Sequence, residues 1–302
     1  MTHDQNFKNL ILDYPQDALR FFAPTEAAQI DESVIITPIR QEQLQEHLGD
    51  SFRELDCPLK IEWPDGRRDI LLFALEEETE PRTFSIFRLI RYCLDLAELF
   101  KTRRVVPVVI FLRPGTYEQQ IQLGSEFKHY LDFHYIACHL PKLSYQQYRH
   151  SDNIVARLNL PNMDHPKALR VNVYADAVQG LIKLEHTASR REKYIDFIDG
   201  YADLNDEERA EYQRNHYPQK EKTMTTMKEW FRREGREEGR EEGHAKGQQV
   251  GIANMLLNQL KLKFGQPLDD AIQKRINQAD TATLQQWSGN IFTARSPQEV
   301  LS

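Results

Sequence analysis

The chain is short of cysteine. Its 302 residues hold three, Cys57, Cys93 and Cys138, far apart and without Cys-x-x-Cys spacing, which excludes a disulfide framework and a zinc knuckle and predicts buried thiols. No run of about 18 apolar residues exists, so no membrane-spanning helix is expected, and the opening MTHDQNFKNL lacks the charged-then-apolar layout of a signal peptide. The expected location is cytoplasmic. Also missing are a GxxxxGK[ST] phosphate loop, a dinucleotide fingerprint after a strand and a GxSxG elbow, which removes the best-marked nucleotide-binding and serine-hydrolase classes. Positive charge is in deficit. The formal net charge of -7 speaks against a surface that grips nucleic acid all over, because phosphate binding needs local Lys and Arg. Two basic clusters remain, Lys101, Arg103, Arg104 and Arg190, Arg191, Lys193, each read as a solvated face ahead of a DNA contact.

Against these absences stands a clear periodic order. Phe7, Leu10, Ile11, then Ala18, Leu19 and Phe22 recur at helical spacing and predict one or two amphipathic helices broken near Pro15. SVIITPI (33–39) predicts a short strand. Two extended runs around Pro64-Asp65-Gly66 predict a hairpin. FSIFRLIRYCLDLAELF (84–100) predicts a helix, VVPVVIFLR (105–113) a buried strand and FHYIACHL (133–140) another. The order of helix, strand, hairpin, helix, strand, strand predicts an α/β domain with a mixed sheet, covered by helices from 141 to about 215.

The candidate chemistry lies on the hairpin. With its turn centred on Asp65 and Gly66, paired residue numbers add to about 131 or 132, which sets Asp56 opposite Leu75 or Glu76 and Glu54 near Glu78. Glu54, Asp56, Glu76 and Glu78 then share one face. Clustered carboxylates repel one another unless a cation neutralises them. A divalent metal such as Mg²⁺, with one or two carboxylate ligands, is one solution, and such a metal activates water and stabilises charge on a phosphate. Salt bridges from Arg53, Arg82 or Arg88 at a solvated strand end are the other. On the next helix Arg88, Arg91 and Tyr92 are candidates to face phosphate or to pack on the surface. His129, His134 and His139 recur at intervals of five, which on a strand alternates faces and makes no convergent metal site.

RREGREEGREEGHAKGQQVG (232–251) carries glycine at every fourth position. Stacked like charges cost about 0.2 to 0.5 kcal/mol per pair and each interior glycine about 1 kcal/mol, so the repeat predicts a weak helix acting as a connector. Self-association through the C-terminal helices into a homo-oligomer is the alternative. Beyond it, residues 251–302 predict a compact helical module with a stop at Gly265, a helix through Ile272 and Ile276, one after Asp280, and a capping box at Ser296-Pro297-Gln298-Glu299. Three segments are therefore expected: 1–215, a charged connector 216–250 and the module 251–302.

The order α-β-β-β-α-β, with Asp in the second strand and Glu-x-x in the third, resembles the PD-(D/E)xK nuclease fold. More narrowly, DQNFK (4–8), LDCPL (55–59), LEEETEPRTFSIFRLIRYCLDLAELF (75–100) and RVVPVVIFLR (104–113) resemble the recombination-promoting nucleases, also described as transposases of the YhgA-like type, over most of residues 4–140. The C-terminal pattern of LL, KFG, RI, AD, LQQW and EVL is similar to a small domain often attached to that family. The resemblance implies a restriction-endonuclease-like core with a mixed sheet flanked by helices, plus a small all-α C-terminal module, and DNA as the partner. It implies Asp56 and Glu76 as Mg²⁺-binding acids. Glu78 stands where the family has lysine. A carboxylate there adds negative charge and either strengthens metal binding or disables catalysis, and Lys60 lies about 13 Å along the strand from Asp56, too far to substitute comfortably. Lys8 on the first helix is a further candidate. The expectation is a metal-dependent DNA endonuclease; the alternative is a catalytically degenerate nuclease-fold scaffold that binds a partner or DNA.

Overall fold

The computed structural model describes residues 3–28, 30–31, 33–39, 57–66, 68–76, 84–216, 226–265 and 268–301. The chain divides into two compact units, Met1–Lys228 and Glu229–Ser302.

The first unit opens with α1 (His3–Asp13) and α2 (Pro15–Phe22). The break falls at Pro15, the first position of α2, where a missing N–H costs nothing. All six apolar residues of the predicted stripe are buried in these two helices. A short α3 (Pro24–Ala27) leads to β1 (Ile35–Pro38). Next come β2 (Cys57–Glu62), β3 (Arg68–Glu76), α4 (Ile86–Leu99) and β4 (Val105–Phe111). They are followed by β5 (Gln120–Gly124), β6 (His129–His134) and β7 (Ile136–His139).

Five strands form one sheet in the order β1-β2-β3-β4-β7, and β5 with β6 forms a separate two-stranded sheet. The β1–β2 and β2–β3 pairs are antiparallel; β3–β4 and β4–β7 are parallel. Helix α4 is the crossover between β3 and β4, as a parallel pair requires. β4 is deeply buried: Val108, Val109, Ile110 and Phe111 are wholly buried, the continuous apolar run of a strand covered on both faces. Pro107 falls where β4 is paired with β3 alone, because the β7 pairing starts at Val108↔Ile136, so its missing N–H spares the β7 ladder.

Two sequence expectations need correction. The hairpin register is Glu62↔Arg68 through Cys57↔Phe73, so paired numbers add to 130 and not to 131 or 132. The cause is a longer loop centred on Asp65, in which the Gly66 N–H donates to the Trp63 carbonyl at 2.9 Å and Gly66 takes the left-handed φ of 85° that suits glycine. The run 133–140 is not one strand either. It breaks at Tyr135, where the chain leaves the β5–β6 hairpin and enters the main sheet as β7.

The remaining helices of this unit are α5 (Tyr145–Tyr148), α6 (Ile154–Leu158), α7 (Arg170–Leu184), α8 (Ala188–Ala202) and α9 (Asp206–His216). Phe7 of α1 packs on Phe197 of α8 with ring centroids 5.3 Å apart, and the Tyr194 hydroxyl donates to the Asn9 carbonyl at 3.1 Å. The helical repeat lies within α10 (Met227–Phe264), continuous for 38 residues, which ends at Gly265 with φ 85°. In the second unit α10 packs Ala253, Leu256 and Leu260 against Ile272 and Ile276 of α11 (Asp270–Gln278), Leu284 and Trp287 of α12 (Thr281–Asn290), and Val300 of α13 (Pro297–Val300). Asp280 and Ser296 cap α12 and α13, accepting from Thr283 N at 2.7 Å and Glu299 N at 3.2 Å. Glu299 reaches back to the N–H of Arg295 at 2.7 Å, one residue before the cap. Among the described residues no helix is long and apolar enough to cross a membrane.

Candidate functional site at the carboxyl edge of the sheet

In open α/β sheets ligands gather outside the carboxyl ends of the parallel strands. Here that edge is a register row: Glu76, the last residue of β3, pairs with Phe111 of β4, which pairs with His139 of β7. Glu76 and His139 are thus two strand spacings apart, roughly 10 Å between backbones, with Phe111 between them. Asp56, Glu78 and Glu54 lie outside the described residues.

An aromatic stack builds the row's wall. Phe111 stacks on His139 with centroids 4.6 Å apart and planes 13° apart, and on Tyr117 at 3.9 Å. Phe84 meets Phe111 edge-on at 5.6 Å. Tyr117 reaches its place because Gly115 has no side chain: a Cβ there would stand 2.8 Å from the tyrosine ring. The other edge of the stack is polar. His139 Nε2 lies 3.3 Å from Gln119 Nε2, while its Nδ1 is buried with no hydrogen-bond partner among the described residues. Burial, and then the nearby Lys142 charge, hold the imidazole below the ordinary histidine pKa.

Successive residues of a strand face opposite ways. The residues following β4, Leu112 and Arg113, open onto a cleft of about 340 Å³. Pro161 and Asn162 form one side of it, and Gly200, Tyr201 and Asp203 at the end of α8 form the other. Its size is that of a small-ligand site, which spans about 300 to 1,000 Å³.

Other sequence candidates are placed elsewhere. Tyr92 is buried in the core with Leu89 and Leu96, so it does not face a phosphate; Arg91 is exposed on the opposite side of α4. The cluster Arg190, Arg191, Lys193 is consumed internally. Lys193 pairs with Asp13 at 2.6 Å, Arg190 lies 3.7 Å from Glu185 and over the Tyr14 ring, and Arg191 donates to the Glu185 carbonyl at 2.6 Å. Lys60 pairs with Glu62 at 2.9 Å. His129 and His134 lie on β6, apart from His139 on β7. Among the described residues no three His, Cys, Asp or Glu side chains come together as a metal site.

Sequence reading missed the cleft and the His139 stack. The signal available for both was the end of the buried strand at Phe111, since that is where a parallel sheet exposes its ligand-facing edge. Comparison of the chain with known protein families, with curated proteins and with solved structures finds no match in any of the three.

Proposed function

We propose that the first unit is a metal-dependent DNA endonuclease of the PD-(D/E)xK type. The observation that carries this reading is the sheet order β1-β2-β3-β4-β7, an antiparallel hairpin continued by parallel strands across the α4 crossover. That arrangement supports the reading by following the order that the resemblance implies, and it ends β3 on Glu76, the position that the resemblance assigns to a metal-binding acid. Asp56 and Glu76 would hold Mg²⁺, which when bound supplies a polarised water and a counter-charge for a phosphodiester. The described residues do not by themselves complete such a centre. Glu78 in the place of the usual lysine would raise the negative charge of the site and its demand for a cation.

The test is cleavage of supercoiled plasmid by the full chain with Mg²⁺ or Mn²⁺, beside Asp56→Ala and Glu76→Ala proteins of matched thermal stability. Cleavage by the parent and its loss in both variants is expected. An intact plasmid with the parent, or equal cleavage by all three, overturns the reading in favour of a nuclease-fold scaffold that binds without cutting.

A further inference from the structure

We propose that the cleft at the carboxyl end of β4 binds one nucleoside monophosphate unit, with Arg113 on its phosphate and Asp203 and Asn162 on the donor edge of its base. The argument begins with charge. Arg113 and Asp203 line the same cleft, yet neither makes an ion pair or a side-chain hydrogen bond with the described residues, including each other. Two opposite charges in one cleft with no salt bridge between them leave room for a ligand that carries both an anion and hydrogen-bond donors.

The cleft is held in place from behind. Asp203 ends α8 in the left-handed conformation, φ 46°, and Arg170 fixes this turn by donating to the carbonyls of Asp203 and Ala202, the latter at 2.9 Å. Asn159, wholly buried, donates to the Val155 carbonyl at 2.9 Å and accepts from Asn162 Nδ2 at 3.0 Å. That bond orients the Asn162 amide and leaves its oxygen as an acceptor. Asp203 and Asn162 together therefore offer acceptors, which suit a base edge of adjacent N–H groups such as guanine N1 and N2 and do not suit thymine, whose edge is mostly carbonyl. Leu112 and Pro161 supply the apolar floor. Gly200 borders open space, since a Cβ built there meets nothing within 4 Å.

The choice of a nucleotide among phosphorylated ligands rests on the nuclease reading, for the cleft lies one strand away from Glu76. Its test does not depend on cleavage. The full chain, free of divalent metal, is titrated by calorimetry with dGMP, dTMP and inorganic phosphate up to about 10 mM, a range that covers weak binding. Expected is dGMP binding at least about tenfold tighter than either other probe, weakened about tenfold or more in Arg113→Ala and lost in Gly200→Phe, with Gly200→Ala unchanged. Gly200→Phe fills the cleft from a helix position free of close neighbours, and Arg113→Ala changes an exposed residue, so one variant stands if the other misfolds. Absence of dGMP binding, equal affinity for the three probes, or undiminished binding in both Arg113→Ala and Gly200→Phe overturns the proposal. Plasmid cleavage without dGMP binding sinks the cleft and spares the nuclease reading; dGMP binding without cleavage does the reverse.

Discussion

Arg157 of α6 lies directly against Gly180 of α7, so closely that a Cβ at position 180 would stand 2.6 Å from Arg157 Nε and 2.8 Å from its Cβ. Arg157 cannot swing away. It is 4% exposed and pinned through its donation to the Asp176 carbonyl. Alanine at a helix interior ordinarily gains about 1 kcal/mol over glycine, whereas overpacking costs about 1 to 3 kcal/mol. Gly180→Ala is therefore expected to lower stability by up to about 2 kcal/mol in urea unfolding. A raised midpoint would show that the contact yields.

The ladder glycines are predicted to behave oppositely. A Cβ at Gly239, Gly243, Gly247 or Gly251 meets nothing within 4 Å, so each alanine there relieves a helix penalty of about 1 kcal/mol without a clash. Thermal melting of single Gly→Ala proteins should rise. If instead these substitutions lower the melting temperature and the apparent mass in light scattering falls with them, the stripe is a seam between copies of the chain.

Tyr14 donates to the carboxylate of Glu185, which is 5% exposed and also accepts from Thr187 N at 2.7 Å. Burial by itself would raise the Glu185 pKa, but these hydrogen bonds and the Arg190 charge outweigh it and hold the pKa below the ordinary 4.5. A carboxylate with a depressed folded pKa contributes fully above its unfolded value and loses that contribution as pH falls through the folded one. Tyr14→Phe should cost about 1 to 2 kcal/mol near neutral pH, and the difference from the parent should shrink as pH falls below 4.5. A pH-independent difference would assign the loss to packing.

The contribution of His139 runs in the same direction with pH, although here it is the neutral form that the fold favours. Its folded pKa lies below 6.5, so the folded state resists protonation; its share of stability is complete above 6.5 and declines as pH falls below that value. The His139 ring signals in an NMR titration should show a midpoint below 6.5, and Lys142→Ala should move it part of the way back. A midpoint at or above 6.5 would mean that the ring is wet.

Much of this architecture was legible in local pattern. Pro15 marked the break between α1 and α2, the all-apolar run after Val105 announced a strand covered on both faces, and Ser296 and Asp280 announced helix starts. Register was harder to read, because Pro64, Asp65 and Gly66 signal a turn without fixing how many residues it takes up, and one residue more shifts every cross-strand partner. The break at Tyr135 gave no signal. Apolar residues continue through it, and only the pairing of Ile136 with Val108 shows that the chain has changed sheets. Of the cleft, the strand end at Phe111 was the one legible part: Arg113, Asn162 and Asp203 are distant in sequence and share a site only because β4, the turn after α6 and the end of α8 converge. Asp56 and Glu78 rest on motif resemblance.

The contacts of α1 and the residue after it also set a timetable for synthesis. Phe7, Asn9, Asp13 and Tyr14 meet Glu185, Lys193, Tyr194, Phe197 and Tyr201, so this helix must wait for nearly two hundred further residues before these partners exist. At about 5 to 20 residues per second, that is an interval on the order of ten seconds or more in which the apolar stripe lacks its α8 cover. A nascent chain stalled before α8 would display that stripe to chaperones, and releasing the stall past Tyr201 would withdraw it.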